Sequence, residues 1–380
     1  MSTGIEPPAV ATAARFAAEH VAPRTDLAEA DGFPPDLWRR MAAAGLFGYG
    51  VDPVHGGAGL PAVELAATAA ALVRAGGNVP VAAAWAVHTT AARQLVQPLA
   101  GAELAAEVLP AIAKGASSAA MALSEPGVGA HPKRLSTRAE RQGDAWLLNG
   151  SKAYISNGPN ADWYVVLAVT SEAAGRKAFT GFLVHRDWPG VTRSTDSGVD
   201  FPGALGHCGL VLADVRVPDR YRLGAEGSGE AAILRRVRVV EDSLMAPALV
   251  AAIGRRIDAA ARLPSAAGDD AIATELGRMA AEQALLALAA PHLLAHVEAG
   301  GGDEALFGYR AVAHDLHDRF DAVREKLTGG APLDALDSDM LQLGRVARSI
   351  DAVKYRALGR SLVAAAAANP GRGDAHRQET

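Results

Sequence analysis

Cysteine is nearly missing from this chain, and that scarcity is the first constraint on what it can be. One cysteine in 380 residues, Cys208, cannot build an internal disulfide framework. A reducing compartment, the cytoplasm, is the expected location, and the opening Met1-Ser2-Thr3-Gly4-Ile5-Glu6 does not read as a charged-then-apolar leader. Aromatic residues are also sparse, at 5% against 49% hydrophobic. A core of small side chains follows, of the kind that lets helices pack closely. Long apolar runs are absent too: those near residues 81–87 and 281–290 are too short or too interrupted to span a membrane. The net charge of −5 comes with scattered basic residues. No basic footprint for nucleic acid or an anionic membrane stands out, and neither partner is expected.

What is present divides into helical, strand-rich and helical thirds. Val10, Ala13, Ala14, Ala17, Ala18 and Val21 recur at helical spacing before Pro23. A second helix starts near Pro35, with Leu37, Trp38, Met41 and Ala44 as its buried stripe. Residues 62–75, 81–96 and 101–114 continue the helical pattern. From about 117 to 223 the apolar clusters shorten, at residues 119–123, 145–148, 163–169, 180–185, 209–212 and 215–217. Turn residues separate them, and antiparallel hairpins are predicted. Beyond Glu230 long helices are expected over 230–263, 271–298, 304–327 and 338–368, with breaks at Pro264-Ser265, Gly300-Gly301-Gly302 and Gly329-Gly330. The expected domains are 1–116, 117–226 and 227–369, followed by a flexible tail at 370–380. The Arg372-Gly373-Asp374 triplet in that tail is read as chance.

Three phrases of the middle third carry a resemblance. Ala122-Leu123-Ser124-Glu125-Pro126-Gly127, Leu148-Asn149-Gly150-Ser151-Lys152 and Tyr154-Ile155-Ser156-Asn157 follow in that order. Together they resemble the flavin-facing part of the acyl-CoA dehydrogenase family. Two further stretches resemble the same family. One runs from Phe33-Pro34 to Gly59-Leu60, and the other is Leu223-Gly224-Ala225-Glu226-Gly227-Ser228-Gly229. The resemblance implies an α+β fold: an N-terminal helical domain, a middle antiparallel β-barrel and a C-terminal four-helix bundle. It also implies FAD as cofactor. Leu123 and Ser124 would touch the pyrimidine side of the flavin, and Tyr154, Ile155 and Ser156 would pack and hydrogen-bond the ring near N5. A hydroxyl suits such a site because it can donate or accept, and an aromatic ring can cover an apolar flavin face.

The implied reaction removes an α-proton from an acyl thioester, on CoA or on an acyl carrier protein, and passes the β-hydride to flavin. An electron-transfer flavoprotein or similar acceptor would take the electrons. A carboxylate base is required. The family's C-terminal Arg-x-x-Phe-Gly, Gln-x-x-Gly-Gly and Glu-Gly-Thr patterns are not found here. A second family position for the base lies on the first helix after the Gly-rich turn. Counted without gaps, that position falls on Val240, one residue before Glu241. One residue turns a helical side chain by about 100°. Glu241 therefore qualifies if the helix entry is adjusted by a residue or contains a bulge, with the shorter Asp242 as second choice. The alternative is that both pair with Arg238 on a solvated face.

Where the family continues its first motif with Gly-Ser-Asp, this chain has Gly129-Ala130-His131. His131 is a candidate donor to a substrate phosphate or pantetheine oxygen, or an exposed loop histidine without a role. His314 and His317, one helical turn apart beside Asp315 and Asp318, are read as a charged helix surface, and no metal site is assigned. Cys208 beside His207 is read as structural, because adjacent strand residues face opposite ways. Two other readings stay open: a redox-inactive or structural subunit on the same fold, and a flavin oxidase or monooxygenase. A homo- or hetero-oligomer is expected from the family. In the hetero-oligomeric case a partner would complete the flavin clamp.

Overall fold

Proline opens the first helices of the computed structural model, which describes residues 6–194, 203–347, 356 and 358–360. Pro8 and Pro35 sit in the first turns of α1 (Pro8–His20) and α2 (Pro35–Ala43), where a missing N–H costs nothing. Trp38 of α2 stacks on Phe47 with ring centroids 4.0 Å apart and donates its indole N–H to the Gly115 carbonyl at 2.8 Å. Helix α3 (Ala62–Gly76) ends where Gly77 turns left-handed, at φ 65°. Helix α4 (Val79–Thr90) starts at Asn78, whose side chain accepts the Val81 N–H at 2.9 Å. Nearly every face of α4 is buried, so it runs through the interior and shows no polar stripe. It continues as a π turn over Ala91–Val96 into α5 (Gln97–Leu99), and α6 (Ala102–Ala113) follows.

The middle third is one eight-stranded sheet. Its strands are β1 (Ala119–Ala122), β2 (Arg138–Gln142), β3 (Ala145–Ser156), β4 (Trp163–Ala173), β5 (Arg176–His185), β6 (Val191–Ser194), β7 (His207–Pro218) and β8 (Arg222–Leu223). Pairing runs β6-β7-β3-β2-β4-β5-β8, and β1 pairs with β4. Most neighbours are antiparallel, as expected, but β4 runs parallel to both β1 and β2. Neither β1 nor β2 is joined to β4 by a tight turn, which would not allow a parallel pair. The separate clusters at 209–212 and 215–217 are one strand, β7. Asp214 between them adopts φ 53° where the β3–β7 register shifts, and it exchanges two 2.9 Å hydrogen bonds with Asn149. Strands β2, β6 and β8 and the start of β5 escape the sequence pattern because their residues are mainly polar or the strands very short.

The C-terminal region opens with a π turn at Glu230–Arg235 and continues as α7 (Arg236–Ala261), so 230–263 is not one regular helix. The expected helix over 271–298 is two, α8 (Asp270–Ala289) and α9 (Pro291–Glu298), because Pro291 cannot donate to the ladder. Then come α10 (Glu304–Thr328) and α11 (Ala335–Ala347). Most of the remainder of the helix predicted over 338–368, and the tail with its Arg-Gly-Asp triplet, lie outside the described residues. Helix α7 packs along α3 through small residues: Ala66, Ala69 and Ala70 on one side and Ala248, Ala251 and Ala252 on the other belong to one buried cluster. The shortage of aromatics is thus used as predicted. Among the described residues no helix is long and apolar enough to cross a membrane.

One charged side chain lies at the centre of this helical region. The guanidinium of Arg256 on α7 is fully buried. It donates to Asp337 at 2.6 Å, Asp321 at 2.8 Å and His317 Nδ1 at 3.0 Å, and it lies 4.1 Å from the Phe320 ring centroid. His317 is therefore part of an ion-pair cluster and does not stand on an open charged surface as the sequence reading had it. Arg256→Met should lower the unfolding free energy by about 3–5 kcal/mol, because Asp337 would remain buried with its principal partner gone. Urea denaturation measures this, and a loss below about 1 kcal/mol would contradict the account.

Candidate active site

The loop after β1 is held from beneath by a buried ion pair. Glu125 receives the Lys152 ammonium at 2.9 Å, the Thr137 N–H at 2.9 Å, and both the N–H and hydroxyl of Ser136 at 2.7 and 2.8 Å. Burial pushes the Glu125 carboxyl up, but the Lys152 charge and the Thr137 donors outweigh it and hold the group at about 2. Burial draws Lys152 down to about 8 against the pull of Glu125, so both are charged at neutral pH. Lys152 also donates to the Leu123 carbonyl at 3.3 Å, and the Ala153 N–H donates to the Ser124 carbonyl at 3.0 Å. These contacts join the first sequence motif to the second. Gly150 belongs to the same join: at φ 149° its Cα faces the Thr137 backbone, and a Cβ would come within 2.7 Å of it.

Immediately after Lys152 the β3–β7 register shifts, and Tyr154 takes the left-handed conformation at φ 60°. A non-glycine residue rarely does so, and the bulge re-aims its side chain. Tyr154 lines a cavity of about 150 Å³ with Leu123, Ser124 and Ser156. Four of the five residues proposed to face a flavin are thereby brought together. Ile155 is the exception, since its side chain is fully buried in the core of the sheet and away from the cavity. His131 is exposed and is not part of the lining, which stops at Ala130.

The opposite wall is built by the π turn and α7. Leu234, Val237, Arg238 and Glu241 face the same cavity, while Val240 is 1% exposed and belongs to the helical core. A π turn holds one residue more than an α turn. The turn at Glu230–Arg235 is thus a one-residue bulge at the helix entry, and beyond it Glu241 faces the cavity. Arg238 donates to the Ala130 carbonyl at 2.6 Å, closing the cavity rim, and is paired with neither carboxylate. Asp242 pairs instead with Arg310 of α10 at 2.5 Å. Glu241 has no ion-pair partner among the described residues. Burial, reinforced by the Asp242 charge, raises its carboxyl to about 7.

Glu241 also lines a second cavity, of about 250 Å³, between α7, α10 and α11. Met245, Leu249 and Ile253 extend along α7, and Met340 and Leu343 face them. Asp242, Tyr309, Arg310, His314 and His317 join Glu241 as its polar residues. The sequence reading had no signal for this cavity or for Arg310, which is brought in from 68 residues away. Glu125 and Lys152 were within the recognised motifs, but their reciprocal burial was not foreseen. Among the described residues no group of three or more His, Cys, Asp or Glu side chains is placed to hold a metal.

Comparison with known proteins establishes the family. The family model described as acyl-CoA dehydrogenase, N-terminal domain, matches residues 9–116, and that described as acyl-CoA dehydrogenase, middle domain, matches residues 120–215. Over 290 residues, 74% of this chain and 75% of its relative, the sequence is 30% identical to an acyl-CoA dehydrogenase of Bacillus subtilis (strain 168). This chain belongs to the acyl-CoA dehydrogenase family. Its fold matches butyryl-CoA dehydrogenase from Megasphaera elsdenii with a TM-score of 0.82 at 20% identity, covering 96% of this chain and 99% of the other. It also matches a glutaryl-CoA dehydrogenase from Mycobacterium smegmatis in complex with FADH2, with a TM-score of 0.76 at 22% identity over 90% and 89% of the two chains. The acyl-CoA dehydrogenase fold thus includes the C-terminal region that the two family models do not reach. The chain spans about half the length of several other curated dehydrogenases it matches.

Because Glu125 is held below the ordinary glutamate value of 4.5, its ionised form stabilises the fold above that pH, and the contribution disappears as pH falls from 4.5 toward about 2. Unfolding free energy measured against pH should fall more steeply in this window for the wild type than for Glu125→Gln. Lys152→Met should cost about 3–5 kcal/mol at neutral pH, through the carboxylate left buried and unpaired.

Proposed function

We propose that this protein is an FAD-dependent dehydrogenase of acyl thioesters in which Glu241 is the base. The observation that carries the reading is the position of Glu241, whose carboxyl borders both the cavity of Ser124, Tyr154 and Ser156 and the apolar cavity within the helical region. The first cavity fits the edge of an isoalloxazine. Ser124 and Ser156 offer hydroxyls to a heteroatom-rich rim, and Val87, Met121, Leu234 and Val237 offer apolar surface to the ring. When bound there, FAD supplies the acceptor for the hydride that leaves the β-carbon. FAD bound to the related glutaryl-CoA dehydrogenase in its reduced form supports the same cofactor here.

The remaining chemistry belongs to the chain. Glu241 accepts the α-proton, and its carboxyl, raised to about 7 by burial and by Asp242, is a stronger base than an exposed glutamate while still ionised in about half the molecules at neutral pH. Arg310 compensates the charge of Asp242, so that one carboxylate of the adjacent pair is committed to an ion pair and the other left for catalysis. The apolar walls at Met245, Leu249, Met340 and Leu343 suit the tail of an acyl group extending past Glu241. CoA is the proposed carrier, and an electron-transferring flavoprotein the proposed acceptor. We assign assembly with a further copy or a partner chain to the role of completing the grip on the adenosine end of FAD, for which the C-terminal motifs of the family are absent from this sequence.

The purified protein should be yellow, with stoichiometric FAD released on denaturation. Glu241→Gln should retain the flavin and lose about 10²–10⁴-fold in acyl-CoA-dependent bleaching. With the wild type, kcat/KM should rise with pH through about 7, as the base loses its proton. A folded protein that stays colourless when FAD is supplied would overturn the reading of this chain as a self-sufficient dehydrogenase and direct the search to a partner chain, and a Glu241→Gln variant with full activity would overturn the assignment of the base.

A further inference from the structure

Ser156 and His207 stand opposite one another on β3 and β7, and their side chains meet at 2.9 Å between Oγ and Nε2. The contact bridges two spaces. Ser156 faces the cavity shared with Ser124, Tyr154 and Glu241, whereas His207 faces a separate cavity of about 630 Å³ whose walls include Arg186, Arg193 and Cys208. The backbone around the pair is pinned. Ile155 pairs with Cys208, and the Asn157 N–H donates to the Gly206 carbonyl at 2.9 Å, so neither side chain meets the other by chance rotation of a loose end.

The chemistry of this pair is bidirectional. Burial pushes the imidazole of His207 down to about 4, so at neutral pH one ring nitrogen donates and the other accepts. With the proton on Nε2, the ring donates to Ser156 Oγ, and the hydroxyl hydrogen is left to point into the cavity. With Nε2 bare, the ring accepts the hydroxyl hydrogen, and Oγ offers a lone pair instead. A group facing the hydride-accepting nitrogen of a flavin meets both demands in turn, because that nitrogen is an acceptor when oxidised and carries a hydrogen when reduced.

We propose that His207 is a positioning residue of the flavin site, which holds the Ser156 hydroxyl toward the cavity and, by exchanging tautomers, lets it present either a proton or a lone pair to the ring. This rests on the reading of the first cavity as the isoalloxazine site. A serine without the imidazole would divide its hydrogen bond between ring and solvent. With it, the hydroxyl has a permanent second partner in either orientation.

The test compares wild type, His207→Leu, His207→Gln, Ser156→Ala and the His207→Leu/Ser156→Ala double variant, each as purified and after loading with FAD. The readouts are the visible spectrum, the FAD dissociation constant, the midpoint potential and the thermal unfolding midpoint. His207→Leu should shift the spectrum and potential in the same direction as Ser156→Ala and weaken FAD binding about tenfold, the factor expected for one hydrogen bond. The double variant should be no worse than either single one, and His207→Gln, which keeps a donor and an acceptor, should restore most of the effect. In wild type, nitrogen-15 histidine spectra should report opposite tautomers of His207 in the oxidised and reduced states. An FAD-loaded His207→Leu protein with wild-type spectrum, potential and affinity would overturn this proposal alone. So would equal impairment of the Leu and Gln variants accompanied by a lowered unfolding midpoint, or the same tautomer in both redox states. A wild-type protein that takes up no FAD would overturn this proposal together with the dehydrogenase reading.

Discussion

A carboxylate and an ammonium buried against each other govern the working face of this protein. Glu125 and Lys152 are both nearly inaccessible to water, and each would be costly there alone. Together, with Ser136 and Thr137 donating to the carboxylate, they tie the loop after β1 to the middle of β3. Ser124 and Tyr154 face one cavity because of that tie. Their own contacts are modest: the Tyr154 hydroxyl accepts the Gly127 N–H at 3.5 Å, too long to fix either group. The register of the site is thus set by a pair of charges that never touches the cavity.

The helical region solves the complementary problem of holding α7 at a defined height and rotation. Small residues let α3 and α7 approach closely, and close-packed surfaces of this kind tolerate little sliding. Arg256 adds a polar lock, reaching Asp337 on α11 and His317 and Asp321 on α10. At the other end of α7, Arg236 donates to Gln94, and Gln94 in turn donates to Glu298 of α9, which also receives Arg93. The carboxyl of Glu241 lies between these two anchors. Its rotation is therefore determined by residues from both the N-terminal and C-terminal helices.

Much of this was legible from sequence where the signal is local. The three ordered motifs identified the family, and turn residues marked most strand ends. The glutamate and lysine of those motifs, however, carried no sign of their mutual burial, because an ion pair 27 residues apart leaves no periodic trace. Helix α4 revealed its existence but not its central place, since a helix buried on all sides loses the amphipathic stripe that would orient it. The parallel pairing of β1 with β4 was hidden for a related reason: alternation along a strand says which residues face the core and nothing about the direction of its neighbour. Ile155 was placed beside the flavin by resemblance to the family, whereas its side chain is buried in the core of the sheet and turned away from the cavity.

The π turn at Glu230–Arg235 has a consequence for how this lineage can change. A substitution at one of its exposed positions leaves the chain count intact and the helix beyond it in place. Deletion of a single residue within it would allow the turn to relax to an ordinary α-helix, the more favourable geometry, while every side chain downstream kept its place, because the deletion removes the one residue by which the π turn exceeds an α turn. Glu241 would then still face the cavity and Val240 the helical core. For this protein the hazardous change of length is one within α7 beyond the turn, where no extra residue is held and each residue lost or gained turns the later side chains by about 100°.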